Sequence, residues 1–135
     1  MVFMKVKKLK QELIIKTTSY DLYEAFMDAK KHALFTGASA VISRAINGSF
    51  ISYNEEIFGV NIDLIQDRKI LQNWRMKDWP EGHHAMLLIG IKEVKGGIKL
   101  SIVQKGIPSE HYEKVMQTWN EFLGKLKSFL EEKKI

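Results

Sequence analysis

Residues 112–130 have the sequence YEKVMQTWNEFLGKLKSFL, in which apolar side chains recur at three- and four-residue spacing. That spacing places them on one face of an α-helix. They are Tyr112, Val115, Met116, Trp119, Phe122, Leu123, Leu126, Phe129 and Leu130. The pattern predicts a helix that begins after an N-cap at Ser109 and ends near Glu131. A helix face with this many apolar residues must be buried, and we expect a β-sheet to cover it.

Upstream of this helix, the hydrophobic pattern has the two-residue period of β-strands. The predicted strands are residues 2–16, 38–46, 49–54, 57–65, 69–76, 83–94 and 98–105. Asn47-Gly48 predicts a hairpin, because both residues tolerate positive φ. Gly106-Ile107-Pro108 predicts the end of the sheet.

Two short helices are predicted between the first strand and the second. Thr18 with Asp21 three residues later resembles a capping box and predicts the start of the first helix. Asp28 is the predicted cap of the second, over residues 29–35, and Gly37 its end. Gly124, inside the long helix, predicts a close approach to a neighbour or a slight bend.

This order of elements predicts an α+β fold. We expect a curved antiparallel sheet of about six strands wrapped around the long C-terminal helix, with the two short helices after strand one. A chain of 135 residues suits one domain, so we expect a single domain over residues 1–135. A curved sheet and one helix seldom fill the space between them, and a cavity is therefore expected.

Composition narrows the classes of function. The chain has 45% hydrophobic and 27% charged residues and no cysteine, which indicates a globular protein without disulfides or thiolate metal sites. No segment is apolar for long enough to span a bilayer, and no signal peptide is seen. We therefore expect a cytoplasmic protein with no membrane partner.

The net charge is +5, and lysines cluster near both ends of the chain. The clusters are Lys5, Lys7, Lys8 and Lys10, and Lys125, Lys127, Lys133 and Lys134. An ordinary solvated surface explains them, and an acidic partner is the alternative. Few arginines and no recognisable motif argue against a nucleic-acid partner.

Residues 70–83, ILQNWRMKDWPEGH, carry a resemblance to a known family. Trp-Arg followed by Trp-Pro-Glu-Gly-His resembles the C-terminal domain of the activators of the 90-kDa heat-shock protein ATPase. Gly106-Ile107-Pro108 with Trp119 downstream, residues 19–26, and Gly48-Ser49-Phe50 with Gly59 resemble further parts of that domain. The order of elements is similar to that of the helix-grip superfamily, which includes START and birch-pollen-allergen-like domains. The chain has no room for the family's separate N-terminal domain, so we expect a stand-alone C-terminal domain.

The resemblance implies a co-chaperone-like domain that binds the 90-kDa heat-shock protein and modulates its ATPase. The basic surface and the segment around the tryptophans are the predicted contacts. The predicted partner-binding residues are Trp74, Arg75, Lys77, Trp79, Glu81 and His83. Large aromatic residues are mostly buried, so the alternative is that Trp74 and Trp79 both pack inside the protein.

The alternative function is that of a carrier for a hydrophobic small molecule or a lipid, held in the cavity between sheet and helix. The predicted cavity-lining residues are Phe26, Phe35, Phe50, Trp74, Met86, Leu88, Met116, Trp119 and Leu123. Ordinary core packing is the simpler interpretation of each one taken singly.

No motif predicts an enzyme, a metal or a cofactor. His83 and His84 are neighbours on a predicted strand and point to opposite faces, so they cannot readily chelate one ion. His32 and His111 form no H-x-x-x-H or H-E-x-x-H pattern. We found no paired carboxylates or phosphate loop, and an enzyme ranks third among the hypotheses.

Overall fold

The structure is a computed structural model that describes residues 4–132. Val2 and Phe3 of the first predicted strand, and Lys133 and Lys134 of the basic clusters, lie outside these residues. In chain order the elements are β1 (Val6–Ile15), α1 (Ser19–Met27), α2 (Ala29–Thr36), β2 (Val41–Ile42), β3 (Ser49–Ser52), β4 (Ile57–Ile65), β5 (Lys69–Met76), β6 (Ala85–Val94), β7 (Gly97–Pro108) and α3 (Tyr112–Glu132). A 3-10 turn, Ser109–His111, precedes α3. The predicted α+β order is confirmed.

Within the described residues, the strands form one antiparallel sheet in the order β1-β7-β6-β5-β4-β3-β2. Each strand from β2 to β6 pairs with the next along the chain, and β1 pairs with β7 at the opposite edge. The sheet has seven strands where about six were expected. This open antiparallel sheet with a long C-terminal helix is the helix-grip fold.

Helix α3 covers one face of the sheet. Its buried residues are Val115, Trp119, Phe122, Leu123, Leu126 and Leu130. Each such side chain contributes about 1.5 to 3 kcal/mol when fully buried, so the predicted apolar face fixes the helix on the sheet. Two of the hydrogen bonds that hold it join it to the sheet through side chains: Trp119 Nε1 donates to Gln104 Oε1 at 2.8 Å, and Gln11 Nε2 donates to Asn120 Oδ1 at 3.1 Å. No helix built from residues 4–132 has both the length and the hydropathy needed to cross a bilayer.

Both short helices begin after the predicted caps, and α2 extends one residue beyond the predicted range to Thr36 before the predicted Gly37 ends it. Thr18 Oγ1 accepts a hydrogen bond from the Asp21 backbone N–H at 3.1 Å, and Asp28 Oδ1 accepts one from the Lys31 N–H at 3.0 Å. Gly37 ends α2 with a left-handed φ of 74°. Local capping chemistry therefore determines both helices.

The strand predicted over residues 38–46 is wrong in length, since β2 has only two residues. Asn61 draws the following loop away from the sheet edge. Its Nδ2 donates to the carbonyl oxygens of Ser43 at 2.8 Å and Ala45 at 3.2 Å. An amide side chain from β4 thus replaces the ladder that a longer β2 would form.

Two predictions at the start of the long helix are also wrong. The sheet does not end at Gly106, because β7 continues to Pro108, which pairs with Val6 on the edge strand β1. Ser109 is not an N-cap, since it lies inside the 3-10 turn and the residue before it makes no capping side-chain bond. Pro108 is tolerated here because it is the last residue of β7 and pairs with an edge strand, β1.

Candidate functional site

The segment between β5 and β6 is held by the buried guanidinium of Arg75. Its Nη2 donates to the carbonyl oxygen of Trp79 at 2.8 Å, and its Nη1 donates to that of Pro80 at 2.9 Å. A longer bond reaches the His83 carbonyl at 3.4 Å, and the cation lies over the Phe58 ring at 5.4 Å. The planar fork of an arginine satisfies several carbonyls at once, so Arg75 fixes the shape of this turn.

Trp79 and His83 fasten the same turn to the body of the protein. The Trp79 side chain is 3% exposed, and its ring lies 5.5 Å from Trp74 and 6.5 Å from His111, measured between centroids. The His83 Nε2 lies 2.7 Å from the carbonyl oxygen of Gly106, so this nitrogen carries the proton and donates it to β7. The turn is therefore pinned to β5, β7 and the start of α3.

These contacts correct part of the predicted partner surface. Trp74, Arg75 and Trp79 are 4%, 7% and 3% exposed, so the prediction that they contact a partner directly is wrong. The alternative, in which both indoles pack inside the protein, is confirmed. Lys77 and Glu81 are exposed and His83 is half-buried. Their role as partner contacts stays a prediction.

A small pocket lies between the sheet and α3. Its walls are Phe26, His32, Ile42, Phe50, Ser52, Tyr53, Ile57, Gln72, Trp74, Leu87, Ile89, Thr118, Trp119 and Phe122. Its volume is about 50 Å³. Ligand sites for drug-sized molecules run to roughly 300–1,000 Å³, so this pocket has room for water-sized groups and not for a lipid chain.

Two polar atoms on the pocket wall have no hydrogen-bond partner among residues 4–132, namely His32 Nε2 and Tyr53 Oη. His32 Nδ1 lies 3.1 Å from the carbonyl oxygen of Ala25 and donates to it. Burial lowers the pKa of His32, which leaves Nε2 as an acceptor. Burial also raises the pKa of Tyr53 to about 12, with Glu121 adding to the effect, so its hydroxyl keeps its proton. The pocket thus offers one acceptor and one donor, both uncharged at neutral pH.

The structure distributes the predicted cavity residues unevenly. Phe26, Phe50, Trp74 and Trp119 lie on the pocket wall. Three others pack elsewhere in the core or against it: Phe35, Met116 and Leu123. The prediction for Met86 and Leu88 is wrong, because these side chains are 41% and 39% exposed on the other face of the sheet.

The error on β6 is a shift of one residue. Leu87 and Ile89 face the pocket instead, and sequence analysis missed them together with His32, Gln72 and Tyr53. Residues 85–89 are apolar without a break, so their sequence has no alternation from which to choose a face. Only the pairing of β6 with β5 and β7 shows which members point inward.

No three histidine or acidic side chains within residues 4–132 lie close enough together to hold a metal ion.

Comparison with known proteins identifies the family. The family model described as "Activator of Hsp90 ATPase homolog 1-like protein" matches residues 16–131. The chain belongs to this family. The human "Activator of 90 kDa heat shock protein ATPase homolog 1" is 29% identical over 106 residues, which are 78% of this chain and 31% of the human protein. A Dictyostelium discoideum homolog is 32% identical over 116 residues, 85% of this chain and 30% of its own length.

The chain thus spans less than a third of these members of the Hsp90 ATPase activator family. The fold is shared with a crystal structure of an HSP90 activator from Plasmodium falciparum, with a TM-score of 0.80 and 22% identity. That match covers 95% of this chain and 96% of the other. The span matched by the family model includes the segment from Trp74 to His83, and the contacts above give that segment a structural role.

Proposed function

We propose that this chain is a co-chaperone-like domain that binds the 90-kDa heat-shock protein and modulates its ATPase. The supporting observation is the match of residues 16–131 to the activator family, together with 29% identity to the human activator. The domain is proposed to change the ATPase rate of its partner without being a catalyst itself. We propose that residues 1–135 act as one domain. We also propose that it acts in the cytoplasm, because a chain without cysteine is compatible with a reducing compartment.

A change in the chaperone's ATPase rate requires that binding of the domain be linked to the conformation of the chaperone. A protein that binds two conformations of its partner equally shifts nothing, however tightly it binds. To stimulate hydrolysis, the domain must bind the closed, hydrolysis-competent arrangement of the chaperone better than the open one. We therefore expect tighter binding in the presence of a non-hydrolysable ATP analogue than in its absence.

The test is a binding isotherm with the purified 90-kDa heat-shock protein, and its ATPase rate on the same samples. Binding together with a faster ATPase supports the proposal in full, and binding with an unchanged rate restricts it to a binding domain. An inhibitor of the chaperone ATPase, added at saturation, separates chaperone turnover from contaminating hydrolysis. Absence of binding at about 100 µM, a level at which any affinity near a micromolar is saturated, refutes the proposal.

The volume of the pocket argues against the alternative, a carrier of a lipid or other hydrophobic small molecule. A cavity of about 50 Å³ lacks the space for an acyl chain or a fused ring system. The chaperone-binding proposal requires no ligand in this pocket.

A further inference from the structure

The face of the sheet turned away from α3 carries several apolar side chains on neighbouring strands. We call it the outer apolar band, and it consists of Ile51, Phe58, Val60, Leu71, Met86 and Leu88. Ile51, Met86 and Leu88 are 40%, 41% and 39% exposed. Successive residues on a strand point to opposite faces, and these residues alternate with the buried ones of β3 to β6.

Strand register places members of the band side by side. Leu88 on β6 is paired with Leu71 on β5, and Phe58 on β4 with Ile51 on β3. Asn73 on β5 pairs with Met86 on one side and with Val60 on the other, so one polar residue lies between these two members. Directly opposed residues on one face lie about 5 Å apart, so the band has one apolar pair on β3 and β4 and another on β5 and β6. Single exposed apolar residues are ordinary, whereas several near one another on one face indicate an interaction surface.

Lysines border the band, and two pairs of them lie directly opposite each other on neighbouring strands. Lys8 on β1 lies directly opposite Lys105 on β7, and Lys92 on β6 directly opposite Lys99 on β7. Like charges placed directly opposite each other destabilise a sheet. Lys105 also pairs with Met86, which brings this charge to the edge of the band.

The carboxylates on this face do not neutralise all of its positive charge. Glu12 lies 3.3 Å from Lys99, and Asp63 lies 2.8 Å from Lys69. Within residues 4–132, Lys8, Lys92 and Lys105 form no ion pair. The face therefore combines apolar area with unpaired positive charge, and its complement is an apolar surface ringed by carboxylates.

We propose that the outer apolar band docks an apolar surface of the 90-kDa heat-shock protein that is rimmed by Asp and Glu side chains. The inference rests on the proposed function and adds the face of contact and the chemistry of the partner. Carboxylates from the partner would separate the opposed lysines and lift their mutual repulsion. A second copy of this chain is the poorer occupant, since two such faces would bring lysine against lysine.

Matched pairs of variants test the proposal in the 135-residue chain. Leu88→Thr removes apolar area from the band, and Leu34→Thr makes the same change at an exposed leucine of α2, on the other side of the sheet. Lys105→Glu reverses a bordering charge, and Lys30→Glu reverses an exposed charge of α2. Far-ultraviolet circular dichroism and a urea midpoint for each variant establish that it is folded.

Binding to the 90-kDa heat-shock protein is measured by isothermal titration at two salt concentrations. Leu88→Thr is expected to weaken binding about tenfold, which is a typical loss for one central apolar contact. Lys105→Glu is expected to weaken binding by a similar factor and to reduce its salt dependence. Both control variants are expected to bind like the wild type.

Three results would overturn the proposal. If the wild type binds and all four variants bind equally well, the docking face is elsewhere and the proposed function survives. If the wild type does not bind at about 100 µM, both proposals fall together. If sedimentation shows a dimer of the wild type that Leu88→Thr dissociates, the band is covered by a second copy.

Discussion

Arg75 shows how a residue in a recognisable motif can act on the fold and not on a partner. The residue is 7% exposed, and its guanidinium donates to the carbonyls of Trp79 and Pro80. The exposed residues of the same turn, Lys77 and Glu81, are displayed at positions that this buried residue sets. Any partner contact made by the turn therefore depends indirectly on Arg75.

Arg75→Lys is expected to lower the free energy of unfolding by about 2 to 3 kcal/mol, because a lysine ammonium cannot reach several carbonyls in the geometry of the planar fork. Urea denaturation measures the loss. Arg68→Lys, in the exposed turn between β4 and β5, makes the same change without a comparable set of contacts and is expected to stay within about 0.5 kcal/mol. Equal, small effects at both positions would contradict the role assigned to Arg75.

His32 gives the stability of the protein a dependence on pH. Burial lowers its pKa from the ordinary 6.5, so between the two values the unfolded chain binds a proton that the folded protein does not. This contribution to stability is fully present above pH 6.5 and is lost as the pH falls toward the lower, folded-state pKa. The slope for one proton is at most about 1.4 kcal/mol per pH unit.

His32→Asn removes the titrating group, and its amide has a nitrogen to replace the Nδ1 donor to Ala25. Between pH 6.5 and 5, the free energy of unfolding of the variant is expected to fall less steeply than that of the wild type. Urea titrations at four pH values measure the difference between the two slopes. Parallel slopes would show that His32 protonates equally in both states. A difference in the free energy of unfolding that is the same at every pH would report only the change in packing at position 32.

At the scale of elements, α3 was predicted correctly in its extent and its buried face, whereas the close approach predicted at Gly124 is wrong. A Cβ placed on Gly124 would have no atom within 4 Å, so no close approach requires glycine there. The residue is exposed in the interior of a regular helix, where its conformational freedom only costs stability.

Gly124→Ala is therefore expected to raise the free energy of unfolding by about 1 kcal/mol, measured by urea or thermal denaturation. Gly59→Ala is the contrasting variant, because its new Cβ would collide with the backbone carbonyl of Asn73 on the paired strand. That variant should be strongly destabilised. A loss of stability at position 124 would indicate a bend in α3 that depends on glycine.

The capping residues and the strand register illustrate what a sequence predicts well and poorly at this scale. Thr18, Asp28 and Gly37 were predicted correctly because a cap involves atoms within four residues of each other. The length of β2 was predicted wrongly because it depends on Asn61, which is 19 positions beyond the end of that strand and reaches back to Ser43 and Ala45.

For the whole molecule, three tryptophans join the parts of the fold into one core. Trp74 on β5 lies 5.5 Å from Trp79 in the turn and 6.4 Å from Trp119 on α3, measured between ring centroids. All three are at most 6% exposed. Fluorescence therefore reports on the sheet, the turn and the helix together.

Unfolding followed by tryptophan fluorescence and by far-ultraviolet circular dichroism is expected to give superimposable transitions. The indoles are expected to resist acrylamide quenching until the same denaturant concentration. A fluorescence transition that precedes the loss of helical signal would show that the turn opens separately from α3. Trp119→Phe serves as a control, because it removes the helix reporter and keeps the other two indoles.

The chain's own residues contain enough local information to specify the α+β class, the long helix, both short helices and most strands. The Trp-Arg and Trp-Pro-Glu-Gly-His residues also contain enough to indicate the activator family. These properties follow from periodicity, capping and residue identity, which act over a few positions. The burial of Trp74, Arg75 and Trp79, the inward face of β6 and the outer apolar band depend on contacts between strands distant in sequence. Such contacts exist only when the sheet has formed, because register and burial are properties of paired strands and not of one strand alone.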